Sequence, residues 1–144
     1  MKFNLEETVT GVDLKPGATL LFFPRERMPE LLKKLEDINV FIDAFTIDQA
    51  KGVMAIFPQE NDLNLSELLD DISIEKEVFR LTLRGHRLTE GKGLATLWES
   101  VLADQKIPPR LSCSNCAGIT HYFPESERET VLQLLDRTFG IRAV

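Results

Sequence analysis

The stretch Arg84–Gly93, RGHRLTEGKG, sets Arg84, His86, Arg87 and Lys92 among the glycines Gly85, Gly91 and Gly93. Basic side chains attract an anion, and glycines allow a backbone to approach one closely. Phe79, Leu81 and Leu83 alternate with Arg80, Thr82 and Arg84 before the loop, which predicts a strand with one apolar face. After it, Leu94, Leu97, Trp98, Val101 and Leu102 recur at helical spacing. A glycine loop between a strand and a helix start leaves backbone N–H groups unpaired. Those groups can hold an anion or the carboxylate of a small molecule. The alternative is a solvated basic loop whose glycines serve only its turns. Ser112, Ser114 and Asn115 are a second set of hydrogen-bonding groups, and they are also ordinary hairpin residues.

Other residues with chemical potential lead less far. Cys113-Ser114-Asn115-Cys116 is a C-x-x-C, but zinc takes four ligands and only His86 and His121 remain to help. A redox pair prefers a helix start, whereas this pair falls at a predicted strand–strand turn. A thiol or metal protein using Cys113 and Cys116 is thus the third-ranked reading. His121 alternates with Ile119 and Phe123, as a packed, hydrogen-bonded sheet residue does. Trp98 lies on an apolar helix stripe and is expected in the core. Asp70-Asp71 and the run Glu125–Glu129 suit helix ends or solvent. No catalytic triad order, phosphate loop or metalloprotease motif occurs, so no catalytic residue, metal or cofactor is expected.

The elements that position these groups follow from periodicity. Lys15-Pro16-Gly17 reads as a turn, Ala18–Phe23 as a strand ended by Pro24, and Met28, Leu31, Leu32 and Leu35 as a helix. Val40–Ile47 and Val53–Phe57 read as strands joined by a turn at Asp48–Gly52. Pro58–Asn64 is a loop, and Leu65, Leu68, Leu69 and Ile72 mark a short helix capped by Asn64. The order then recurs: strand Glu77–Arg84, helix Gly93–Ala103, strands Pro109–Ser114 and Ala117–Phe123, and a last helix with Val131, Leu134 and Leu135 that ends at Gly140. Strand–helix–strand–strand–helix, twice over with a period of about 60 residues, predicts an α+β fold of two ferredoxin-like βαββαβ repeats with intertwined strands. The divisions are 1–14, an N-terminal strand completing the second repeat, then 15–76 and 77–144. Residues 73–84 should pass from one repeat to the other without a linker.

Composition narrows the partners. The 144 residues suffice for one mid-sized domain or two small ones, and 43% hydrophobic content is ordinary for a soluble protein. No apolar run spans a membrane and MKFNLEETV lacks a signal-peptide core, so a cytoplasmic protein without a membrane partner is expected. A net charge of −6 argues against nucleic acid. Residues 1–77 carry 8 basic and 16 acidic side chains, while 78–144 carry 9 and 7. Strands of the first repeat are apolar at nearly every position, so both faces should be covered. Helices on one face alone would leave Phe22, Phe41, Phe45 or Met54 exposed, which predicts a homodimer or close packing between repeats.

This pattern resembles the tandem ACT domains of the C-terminal regulatory region of aspartokinases. Val9-Thr10-Gly11-Val12 is similar to the motif leading into the first ACT unit. Gly85 and Gly93 match the glycines of an effector loop, Lys106-Ile107 precedes the second strand, and Ser112-Cys113-Ser114-Asn115 resembles the Ser-Thr-Ser-Glu turn. Pro24-Arg25-Glu26-Arg27 stands where the first repeat of that family has Gly-Pro-Gly, and Phe45 and Thr46 fall near its Gln-Asn pair. No kinase region is recognisable. The resemblance implies a non-catalytic regulatory protein that binds a small ligand, such as an amino acid, through Arg84, Gly85, His86, Arg87, Lys92, Gly93, Ser112, Ser114 and Asn115. The runner-up is a structural module of the same fold that docks on another protein without a ligand.

Overall fold

A computed structural model describes residues 9–58, 67, 69–85, 94–115 and 118–140. Two compact units divide the chain, Gly17–Val78 and a second built from Met1–Pro16 with Phe79–Val144. Among the described residues, six strands and three helices follow in order: β1 (Val9–Pro24), α1 (Met28–Asp37), β2 (Ile42–Ile47), β3 (Lys51–Ile56), β4 (Ser73–Gly85), α2 (Leu94–Asp104), β5 (Leu111–Asn115), β6 (Gly118–Pro124) and α3 (Arg128–Phe139). Among the described residues, no helix is long and apolar enough to cross a membrane. The long strands β1 and β4 each contribute to both units, so the chain passes between them inside a strand.

In the Gly17–Val78 unit the strand order is β2-β3-β1-β4. β1 and β3 pair antiparallel from Thr19↔Ile56 to Pro24↔Lys51. Met54, Ala55 and Ile56 are consecutive and all fully buried, as are Leu20 and Leu21. Neighbouring strand residues point to opposite faces, so both faces are covered at the strand centres. One face holds a core of Leu21, Phe23, Met54 and Ile56 with Leu31 and Leu35 of α1. Leu31 and Leu35 are four apart and so meet the sheet on one stripe of the helix.

Three expectations change here. Lys15-Pro16-Gly17 is not a reversal: β1 runs through it, and Gly17 takes φ +84°. Glycine adopts that backbone without a Cβ clash, so the strand bends and continues. Met54 is buried under α1 instead of exposed, and Phe22 is half-buried. Phe41 and Phe45 do stay exposed, at 76% and 53%. The register shift between Ile42 and Ala44 sets Phe45 on the same face as Met54 and Ile56, and Phe45 is exposed there because β2 is the outermost strand. One extra residue, Asp43, changes which positions face α1. Ile42 therefore lies opposite core Ile56, while Phe45 lies opposite Met54 at the open flank of β2. The short helix expected over 65–72 falls largely outside the described residues; Leu69 is buried and Asp70-Asp71 form a turn.

The β2–β3 turn is tighter than the sequence suggests, because Gly52 is already in the ladder opposite Ile47. Asp48 Oδ1 accepts from the N–H groups of Ala50 and Lys51 at 2.8 and 2.7 Å. Those donors hold its carboxyl below the usual range, Lys51 first and Ala50 second. A Cβ on Gly52 would stand 2.4 Å from the Phe23 ring. Gly52→Ala should therefore cost about 1–3 kcal/mol of stability through overpacking, measured by urea unfolding. An unchanged midpoint would show that the ring has room to retreat.

In the other unit the order is β1-β4-β6-β5. Phe79, Leu81 and Leu83 of β4 alternate inward and are fully buried, with Arg84 exposed. They join Trp98 and Leu102 of α2, Ile119 and Phe123 of β6, and Val131, Leu135 and Phe139 of α3. Phe123-Pro124 ends β6 as Phe23-Pro24 ends β1, and each strand then enters a helix through a three-residue 3₁₀ turn. Proline cannot donate to a ladder, and its fixed φ directs the chain out of the sheet. Gly140, at φ +68°, closes α3 by donating to Asp136 O at 2.8 Å.

Candidate functional site

The candidate ligand residues all belong to the Phe79–Val144 unit. Gly85 is the buried last residue of β4, and α2 begins at Leu94. His86, Arg87, Lys92 and Gly93 lie between them, outside the described residues. β5 and β6 pair from Leu111↔Tyr122 to Asn115↔Gly118, so residues 115–118 close a hairpin. A Cβ on Gly118 would stand 2.9 Å from the Leu83 carbonyl oxygen. That close approach puts the end of the β5–β6 hairpin beside the end of β4, two residues from Gly85. Ser114 is thereby brought towards Gly85 at one end of the unit, while Ser112 lies further along the ladder, opposite His121. Asn115 is there by backbone pairing, its side chain being outside the described part.

Arg84 is not a free cation. Its Nε lies 2.9 Å from Asp13 Oδ2, and its guanidinium covers Gly11, where a Cβ would meet Nη2 at 2.8 Å. Both partners are about half exposed, so the ion pair contributes little to stability. It does reduce the charge Arg84 can offer a ligand. Thr82 and Thr120 share a hydrogen bond of 3.1 Å across β4 and β6.

Ser112 and Ser114 are exposed, yet Ser112 Oγ lies 2.7 Å from Nδ1 of His121, its partner across the ladder. His121 is 1% exposed, and burial pushes its imidazole down to about 4. At neutral pH it is uncharged. Its Nε2 is buried with no hydrogen-bond partner among the described residues. The histidine is thus a packed sheet residue beside the site, with one nitrogen committed to a site hydroxyl. Cys113 is exposed on β5 opposite Thr120, and Cys116 lies outside the described residues. No group of three His, Cys, Asp or Glu residues among those described can hold a metal.

One cavity escaped the sequence reading. A cleft of about 330 Å³ in the Gly17–Val78 unit is lined by Phe22, Pro24, Lys51, Gly52, Asp71 and Ser73 among others. Asp71 in its wall is bound by Arg27 Nε at 2.8 Å, and Arg27 also pairs with Glu30. No motif marks this cleft, because three separate strand ends assemble it.

No family profile and no curated protein sequence matches the chain. Solved structures do match. The putative C-terminal regulatory domain of aspartate kinase from Porphyromonas gingivalis W83 superposes with a TM-score of 0.71 at 14% identity, covering 88% of this chain and 94% of that one. The ligand-free regulatory subunit of aspartate kinase from Thermus thermophilus gives 0.76 at 11% identity, covering 93% and 99%. Escherichia coli aspartokinase III, in complex with lysine and aspartate, gives 0.73 at 18% identity, with 92% of this chain covering 33% of that one. At such identities the likeness is one of fold, and the fold is that of the C-terminal regulatory region of aspartokinases.

Proposed function

We propose that the chain is a non-catalytic regulatory module of two ACT-type, ferredoxin-like repeats that binds a small ligand, such as an amino acid. In each unit the strand order supports the repeat. Counting strands along the chain, Gly17–Val78 has order 2-3-1-4, the arrangement of a split β-α-β pair. The other unit has the same order if β4, β5 and β6 count as its first three strands and the N-terminal part of β1 as its fourth. The segment 1–14 then completes the second repeat.

The ligand lies between Gly85–Gly93 and Ser112–Asn115. The observation that carries this is the close approach of Gly118 to the Leu83 carbonyl, which sets the hairpin end beside the end of β4. Arg87 and Lys92 supply charge and the start of α2 supplies N–H groups. Lysine and aspartate are bound in the E. coli aspartokinase III structure, which makes amino acids the first class to test. Thermal melting with each of the twenty amino acids should give at least one clear rise in midpoint. A ligand at a hundredfold excess over its Kd adds about 2.7 kcal/mol to the folded state. Twenty flat responses would leave the same fold acting as an interaction module without ligand.

The protein acts as a homodimer. β2 is the outermost strand in its unit's order, and Phe41, Phe45 and Ile47 stand exposed on or beside it. An open strand edge with exposed aromatic residues favours pairing with a second copy. Light scattering should give twice the monomer mass, and Phe45→Glu should halve it; a monomer at high concentration in the unmodified chain would contradict this.

A further inference from the structure

Ser112 and His121 face each other across the β5–β6 ladder, 2.7 Å apart through Oγ and Nδ1. A neutral imidazole carries a single proton, and the nitrogen that holds it decides what Ser112 can offer a ligand. Suppose the proton is on Nε2. The Ser112 hydroxyl then donates to Nδ1, and a buried Nε2–H is left without an acceptor among the described residues. Suppose instead that it is on Nδ1. The Nδ1–H donates to Ser112 Oγ, and Nε2 presents only a lone pair to its surroundings, with the Phe123 ring centroid 5.8 Å from that of the imidazole. Orphaned buried donors are rarer in proteins than under-satisfied acceptors, so the second arrangement is the stable one. Ser112 is exposed, and its hydroxyl proton can turn away from the sheet.

We infer that His121 is a positioning residue, held as the Nδ1–H tautomer, which fixes Ser112 as an outward hydrogen-bond donor for a carboxylate oxygen of the ligand. This rests on the ligand site proposed above and specifies which end of a zwitterionic ligand meets the hairpin. Ser112 Oγ already accepts from His121, so its hydroxyl proton is what it has left to give. The ammonium end of such a ligand is then directed to other acceptors, Ser114 and the carbonyl groups of the hairpin end.

The test uses the full chain labelled with ¹⁵N-histidine. Long-range proton–nitrogen correlation at pH 7 should show His121 with a protonated Nδ1 and a bare Nε2. A protonated Nε2 overturns the inference. Sodium acetate and methylammonium chloride at matched concentration then serve as minimal carboxylate and ammonium probes. Acetate should shift the His121 nitrogens several-fold more than methylammonium, and Ser112→Ala should remove the acetate response. The reverse order, no response to either probe, or a response that survives in Ser112→Ala each overturns the donor role. An amino acid that raises the melting midpoint equally in the unmodified chain and in Ser112→Ala removes this inference while leaving ligand binding intact. Conversely, an Nδ1–H tautomer and an acetate response with no amino acid bound would uphold the donor and remove the amino acid.

Discussion

Phe79→Ala should lower the unfolding free energy by about 3–5 kcal/mol, the range for deleting a fully buried aromatic ring. Phe79 is completely buried on β4, with the Phe123 ring at 5.7 Å and the Arg128 guanidinium over its face at 5.2 Å. Two oxygens of Glu125 brace that guanidinium, each at 2.8 Å, so it cannot follow the vanished ring without losing them. The hydrogen bonds Arg128 donates to Glu125 are also the main reason that its pKa is raised. The cavity would therefore collapse only in part. Phe41→Ala is the contrasting control: at 76% exposure it should change monomer stability by no more than about 0.5 kcal/mol. Urea unfolding decides, and a loss below about 1 kcal/mol for Phe79→Ala would mean that β4 is not the centre of its unit's core.

Acid should destabilise the protein before its carboxylates titrate, and His121 should be the cause. Burial holds its folded-state pKa at about 4, whereas an unfolded histidine titrates near 6.5. Below pH 6.5 the unfolded chain takes up a proton that the folded chain refuses, so stability falls as pH drops from 6.5 towards 4. A shift of this size corresponds to a loss of roughly 3 kcal/mol across that window. His121→Gln should flatten the slope there. Equal slopes in the unmodified chain and in His121→Gln would show that His121 is solvated in the folded state.

Much of this architecture is legible in the sequence because it is locally encoded. Phe79, Leu81 and Leu83 announce their strand by alternation, Trp98 its buried stripe by helical spacing, and Pro24 its strand end by the missing N–H. What the sequence hid depends on partners that are distant along the chain. Lys15-Pro16-Gly17 has the composition of a turn whether the strand reverses or merely bends, and pairing decides between the two. Met54 looked exposed because its side of β3 is set by pairing with Leu21 of β1, more than thirty residues away, under Leu31 and Leu35. Arg84 looked free because Asp13 lies 71 positions away. The histidine–serine pair follows from register alone, which fixes residue 112 opposite 121 only once the hairpin closes at 115–118. Of the stretch Arg84–Gly93, only its start is placed by strand pattern: Arg84 and Gly85 end β4, and α2 begins at Leu94.

The central claim is a small-ligand site between Gly85–Gly93 and Ser112–Asn115, and titration calorimetry tests it most directly. The amino acid that raises the melting midpoint most would be titrated into the unmodified chain, Gly85→Val and Arg87→Glu. Gly85 is buried at the end of β4, so a valine there should obstruct the approach of a ligand and abolish binding. Arg87→Glu should weaken binding by about 1–3 kcal/mol through loss of a charge-assisted contact. Both variants should keep the far-ultraviolet circular dichroism of the unmodified chain. Equal affinity in all three proteins would contradict the account and place the ligand elsewhere.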